Sequence, residues 1–357
     1  MNIAQLRLIN QRITDHPFTQ PAEVVAWLGA MQAQDFSGTL WAIGLRMKEA
    51  SEQQVEQAIS ERQIVRTWPM RGTLHFVAAK DVRWLLQLLT PRIIAQAAGR
   101  YRQLELDAAT FAASQAVFVR ALQGGKQLTR EELYQRLEEA GIVTTGQRGY
   151  HLLCRAAQDG LICFGAPSDT QQTFTLLDEW IPASKPLSRE EALAELARRY
   201  FNSHAPATLQ DLMRWAGIST ADAKIALAAV AKELIQEKID GEIYWMPPHV
   251  AATEHDSDLR ASDNLYLLPG FDEYILGYGK RDAVLDPAYA SAICPGGNGV
   301  FYPTIVSNGR VVGTWKRVLK KTNVQITPSP FQPLSELEGE AFALAADRYI
   351  AFLGRKR

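Results

Sequence analysis

The chain is 357 residues long and 47% hydrophobic, with 38 basic against 39 acidic side chains and a net charge of −1. This length implies two to four domains. The chain has no run of about 18 apolar residues to cross a membrane, no secretory pattern in Met1–Arg7, and no overall basic balance of the kind many nucleic-acid binders show. Its three cysteines, Cys154, Cys163 and Cys294, have no close metal-ligand spacing, which points to a reduced cytoplasmic protein without structural zinc.

Ile3, Leu6, Ile9 and Ile13 recur near the helical period and predict a helix over 3–14. A second helix opens at Pro21-Ala22-Glu23, with Thr19 as its expected N-cap. Gln32 and Gln34 fall near the expected end of that helix. Ser51 followed by Gln54 predicts a third helix over 51–60. The stretches Ile64–Trp68 and Thr73–Val77 then read as strands. Three helices followed by a short hairpin is the order of a winged helix.

The order recurs twice. Thr129 with Glu132 three residues on predicts a capping box, and Gly141 ends that helix. A helix from Gly149 to Ala157 stops at Gly160, and Leu161–Phe164 and Thr173–Leu177 flank a polar loop. From about residue 188 a third copy closes on Leu234-Ile235 and Ile243-Tyr244-Trp245, around a turn at Asp240-Gly241. Three such units indicate a repeat architecture. The last hundred residues read as β-rich. A strand at Leu265–Pro269 precedes turn signals at Asn298-Gly299 and Asn308-Gly309, a further strand ends at Gly313–Arg317, and a helix runs from about Leu334 to Leu353.

Several blocks, in order along nearly the whole chain, resemble the AlkZ/YcaQ-type winged-helix DNA glycosylases. They are Gln32-Ala33-Gln34, Met70–His75, Ala205–Asp211, Leu268–Tyr278 and Asn308–Trp315. The resemblance implies an α+β protein of three tandem winged helices, at 1–105, 106–183 and 184–255, with a β-rich domain at 256–357, forming a C-shaped DNA cleft. It implies removal of N-alkylated purines, and some members unhook interstrand crosslinks. The family's catalytic motif is Gln-apolar-Gln in one branch and Gln-apolar-Asp in the other. Gln34 places this chain with the first, and Asp35 stands one residue too late for the second.

On this reading Gln32 and Gln34 are the catalytic pair. An N3- or N7-alkylpurine is cationic and departs neutral, so a strong general acid is unnecessary. The remaining work is to place a water at the anomeric carbon and support an oxocarbenium-like state. An amide offers one acceptor and two donor hydrogens, and neutral amides avoid a desolvated carboxylate in the cleft. A glutamine pair by itself also reads as ordinary surface polarity.

Arg66, Arg71, Thr73 and His75, around the first strand pair, are candidates for DNA contact, against a surface arginine and a satisfied core histidine. Gln147, Arg148, Tyr150, His151 and Arg155 lie at the start of a recognition-like helix, against an ordinary solvated face. Lys316, Arg317, Lys320 and Lys321 form the densest basic run, again either solvated or on phosphate. Cys154 reads as buried filler and Arg214-Trp215 as packing with a snorkelling arginine. The paired acids Asp272-Glu273 read as structural, or as placing Lys280 and Arg281 at DNA. Pro295–Gly299 lacks the Lys-Ser or Lys-Thr of a phosphate loop. No cofactor or metal is expected. The expected partner is double-stranded DNA containing alkylated purines, bound by a monomer associated with the nucleoid. The competing readings are a non-catalytic DNA-binding regulator and a protein-binding scaffold.

Overall fold

The computed structural model describes residues 1–167, 171–252, 265–319 and 323–355. The architecture is α+β. The chain divides into two compact units, one of Met1–Val55, Leu193–Trp215 and Ser219–Arg357, the other of Glu56–Ala192 and Ala216–Ile218.

In the first unit the N-terminal helix is shorter than its periodicity predicts. It spans Ile3–Asn10, capped by the Asn2 side chain, and the left-handed Arg12 (φ 59°) turns the chain away before Ile13. The helix Pro21–Leu28 takes Gln20, not Thr19, as its N-cap. The Glu23 carboxylate accepts from the amides of both Thr19 and Gln20, at 3.1 and 3.0 Å. Gly29 (φ 81°) ends it. The glutamine pair therefore does not lie at a helix end, as expected from sequence. Gln32 belongs to the two-residue strand Met31–Gln32, and Gln34 follows in the connection to the next helix.

That next helix, Phe36–Gly44, has no counterpart in the sequence reading. Every residue from Gly38 to Gly44 is buried, so it has no polar face and no amphipathic period to detect. Asp35 caps it by accepting from the Gly38 amide.

Later in this unit a hairpin pairs Ile235–Ile239 with Glu242–Met246 around left-handed Asp240 and Gly241. A four-stranded antiparallel sheet follows, in the order Val324–Pro330, Arg310–Leu319, Thr304–Ser307, Leu265–Leu268. Asn308 (φ 50°) and Gly309 (φ 80°) make the two-residue turn that joins Ser307 to Arg310. Asn298-Gly299 joins no strands: the Asn298 side chain accepts from the Val300 amide, and the sheet resumes only at Thr304. The helix Glu336–Phe352 lies against this sheet, with Tyr349 edge-on to both Trp41 and Trp315 at 5.0 and 5.2 Å. Both indoles donate to strand carbonyls, Trp41 to Leu267 and Trp315 to Leu268.

The second unit starts at Glu56, inside the helix Glu52–Ser60, and continues with the hairpin Ile64–Met70/Thr73–Ala78. The helices Val82–Gln103, Ala108–Leu122, Arg130–Glu139 and Arg148–Gln158 follow. The expected capping box is present, with Thr129 and Glu132 bonded reciprocally. The hairpin Ile162–Phe164/Thr173–Leu176 closes the series. Its core gathers Trp68, Phe164 and Phe174, with Trp68 parallel to Phe174 at 6.4 Å. The 22-residue helix Val82–Gln103 was not legible because Pro91 inside it reads as a stop.

Candidate active site

Burial alternates along residues 31–34. Met31 and Ala33 are buried, Gln32 is half-buried and Gln34 is exposed. Met31 and Gln32 form the short strand, in which successive side chains alternate between faces, and Gln34 lies in the bend that leads to the next helix. Ala33 anchors the segment to the core, and the two amides stand outward from it.

Both backbone groups of Gln32 are fixed. Its N–H donates to Oε1 of Glu273 at 3.0 Å, and its carbonyl accepts from the Thr39 hydroxyl at 2.9 Å. The Thr39 hydroxyl also lies 2.7 Å from the Asp35 carbonyl. Asp35 is thus committed to capping the following helix, next to the glutamines.

Glu273 is fully buried. Its second oxygen, Oε2, accepts from Trp215 Nε1 at 2.9 Å and lies 3.6 Å from His204 Nε2. Burial lowers the pKa of His204 from its ordinary value, opposed by the nearby Glu273 carboxylate. The imidazole is stacked on Tyr200 at 4.7 Å, with Nδ1 2.7 Å from the Ser203 hydroxyl. The Glu273 carbonyl accepts from Gln11 Nε2. Gln11 in turn accepts through Oε1 from Arg46, whose guanidinium grips Asp272 through two 2.9 Å bonds. Beneath the outward-facing glutamines lies a layer of buried charges and dipoles tied to one another. A low-dielectric setting makes such a layer rigid when satisfied.

From sequence, Trp215 reads as packing and Asp272-Glu273 as structural or as placing Lys280 and Arg281 at DNA. The structure joins both Trp215 and Glu273 to the backbone of Gln32. No local pattern could reveal this, because Gln32 and Glu273 are 241 positions apart.

The remaining candidates are placed as follows. Arg71 and Gly72, both left-handed, form the turn between Met70 and Thr73. His75 is buried, with Nδ1 3.0 Å from the Thr73 carbonyl and Nε2 3.4 Å from Arg71 Nη2. Thr73 donates its hydroxyl to the Met70 carbonyl. Arg66 is 6% exposed, donates to Gln172 and lies over the Phe164 ring. Gln147 accepts from Arg100. Arg148 donates to the carbonyls of Val143, Leu104 and Glu105. Arg155 pairs with Asp159 over the Phe111 ring. Tyr150 is 41% exposed, its ring edge-on to Trp68, and the His151 ring packs against it. Lys316 is exposed, and Arg317 donates to the Tyr349 hydroxyl. Lys320 and Lys321 lie outside the described residues. Lys280 pairs with Glu242, and Arg281 donates to the Ile275 carbonyl.

Among the described residues no group of three or more His, Cys, Asp or Glu side chains could hold a metal ion, and no helix is long and apolar enough to cross a membrane.

Comparison with known proteins gives a consistent result. The family model described as "DNA glycosylase AlkZ-like" matches residues 25–352. The interstrand DNA cross-link repair glycosylase of Streptomyces sahachiroi is 29% identical over 359 aligned residues, covering 94% of this chain and 93% of the relative. The solved structure of Streptomyces sahachiroi DNA glycosylase AlkZ superposes with a TM-score of 0.82 at 24% identity. That match covers 100% of this chain and 97% of the other, and it reports likeness of fold.

Proposed function

The chain belongs to the AlkZ-like DNA glycosylase family, and from that premise we propose that it hydrolyses the N-glycosidic bond of N3- and N7-alkylated purines in double-stranded DNA. Interstrand crosslinks through such positions fall within the same class, since the relative from Streptomyces sahachiroi is named for crosslink repair. The observation that supports this reading best is the pair of amides at Gln32 and Gln34, set outward by a buried Ala33, with the Gln32 backbone bonded on both sides.

In the proposed reaction a water attacks the anomeric carbon of the damaged nucleotide. The carbon–nitrogen bond breaks with its electron pair going to the purine ring. The cationic base therefore leaves neutral, and the water proton passes to solvent. The products are a free alkylpurine and an abasic site. Gln34, the more exposed amide, accepts a hydrogen bond from the water and aims its lone pair. Gln32 supports the same water or the sugar. Neither amide is acidic enough to protonate an uncharged purine as it leaves, so unmodified DNA is a poor substrate. The alkyl charge on the base supplies the driving force, and the chain needs no cofactor for this step.

The helix–helix–hairpin groups at 1–105, 106–183 and 184–255 act as winged-helix modules on the duplex, ahead of the β-rich region at 256–357. Contact with DNA falls to Arg71, Thr73, Gln147, Arg148, Tyr150, Arg155, Lys316 and Arg317, whereas Arg66 and His75 are buried against internal partners and are not open to the duplex. Gln147, Tyr150 and Lys316 are the exposed residues among these. A hairpin with a basic and apolar tip suits probing of the minor groove. The strand Arg310–Leu319 ends on Val318 and Leu319, 52% and 48% exposed, just past Lys316. The protein acts as a monomer and cleaves only the glycosidic bond.

Release of free 7-methylguanine from methylated duplex DNA tests the proposal. The expected product is the base together with an alkali-labile abasic site. Sequence-specific binding to undamaged DNA without base release would instead indicate a regulator.

A further inference from the structure

We propose that Glu273 is a positioning residue for catalysis, holding Gln32 in register through its backbone amide. The proposal deepens the reading above and rests on Gln32 and Gln34 carrying the reaction. Gln32 belongs to a strand of only two residues. Such a stub has little ladder of its own to fix it, yet water placement tolerates little displacement of the aligning groups. The Glu273 carboxylate adds a constraint from below, accepting from the Gln32 N–H at 3.0 Å, opposite the Thr39 bond to the Gln32 carbonyl.

The carboxylate is itself oriented. Trp215 Nε1 donates to Oε2 at 2.9 Å, and Gln11 Nε2 donates to the carbonyl of the same residue. The neighbouring Asp272 is locked by Arg46. His204 faces Oε2 at 3.6 Å, and burial lowers its pKa. A buried carboxylate held against N–H dipoles is a demanding arrangement to maintain. Its oxygens are shared between the Gln32 amide and an indole, both N–H donors without an acceptor site of their own.

That donor pattern makes a test possible. Glu273→Gln keeps the shape and offers one acceptor and one NH2 group. Whichever way the amide turns, its NH2 meets either the Gln32 N–H or the Trp215 indole N–H, donor against donor. Removing the second donor by Trp215→Phe relieves the conflict. The amide oxygen then serves Gln32, and the NH2 faces His204 Nε2, which is buried with no hydrogen-bond partner among the described residues.

The experiment measures kcat and KM for 7-methylguanine release by the full-length chain, hydrogen exchange at the Gln32 amide, and thermal unfolding. The expected result for Glu273→Gln is a kcat lower by about tenfold or more, KM within about twofold, and faster exchange at Gln32. Trp215→Phe alone lowers kcat by less than Glu273→Gln does, because Oε2 loses one donor while Oε1 remains on Gln32. The double variant recovers most of the loss and slows Gln32 exchange again. If Glu273→Gln does not fold, Glu273→Asp makes the same test, since it keeps both acceptor oxygens but draws them back by one carbon. Wild-type kcat in a folded Glu273→Gln chain, or a folded double variant no better than the single, overturns the proposal and leaves the glycosylase reading intact. A wild-type chain that frees no alkylated purine overturns the glycosylase reading, and this proposal with it.

Discussion

Arg46 and Asp272 face each other through two hydrogen bonds of 2.9 Å, both side chains fully enclosed, and the pair fixes the residue next to Glu273. Arg46 also reaches the carbonyl and side-chain oxygens of Gln11 and the carbonyl of Ala42. Asp272 accepts from the Tyr274 amide as well. Removing one partner leaves a buried charge unanswered. Asp272→Ala is expected to destabilise the chain by about 3–5 kcal/mol, read as a shift in the urea midpoint at unchanged slope. A loss below about 1 kcal/mol, the range of exposed pairs, would show that the pair does not hold this layer together.

Stability should fall on the acid side through His16. Burial, and then the Arg348 guanidinium, lower its pKa from 6.5 to about 4. Arg348 Nη1 lies 2.8 Å from His16 Nε2, so the ring accepts there and is neutral. The unfolded chain takes up a proton near 6.5, whereas the folded chain refuses it until about 4. The contribution of neutral His16 is therefore full above pH 6.5 and is lost as pH falls towards 4. His204, also lowered by burial, acts in the same direction. His16→Asn, which tolerates the left-handed backbone there (φ 43°), should flatten the loss over that window. Urea midpoints at pH 7, 6, 5 and 4 measure it, and an unchanged slope in the variant would rule His16 out.

How much of this was legible beforehand depended on whether a signal was local. The Asn308-Gly309 turn and the Thr129–Glu132 capping box are short-range chemistry, and both are present as read. The helix Phe36–Gly44 was hidden because burial on all sides erases its period. The same loss misplaced Gln32 and Gln34. Without that helix, the nearest element to carry them was Pro21–Leu28, which Gly29 has already ended. The bond from Trp215 to Glu273 spans 58 positions and that from Glu273 to Gln32 spans 241, beyond the reach of any local sequence pattern.

The cysteines should differ sharply in reactivity. Cys154 and Cys163 are buried, and burial raises both thiols, Cys154 to about 12. Cys294 is half-buried. The thiolate is the reacting form, so iodoacetamide on the folded chain should modify Cys294 first and the other two only on unfolding. Peptide mapping that found Cys154 or Cys163 modified at native conditions would contradict the packing described.

Lys316 is exposed on the strand Arg310–Leu319, whereas its neighbour Arg317 donates to the Tyr349 hydroxyl. If Lys316 contacts phosphate as proposed, Lys316→Ala should weaken binding to duplexes of any sequence. It should also reduce the slope of log affinity against log salt by about 1. Titrations at several salt concentrations decide this, and an unchanged slope would remove Lys316 from the interface.

If the outward amide of Gln34 aims the attacking water, its loss should slow the bond-breaking step itself. Single-turnover release of 7-methylguanine from methylated duplex DNA, comparing wild type with Gln34→Ala, tests it most directly. Gln34 is exposed and follows the strand without belonging to it, so the substitution should leave folding and DNA affinity unchanged. The expected release rate is lower by at least about tenfold, a barrier raised by about 1.4 kcal/mol or more. Release at the wild-type rate by the folded variant would contradict it.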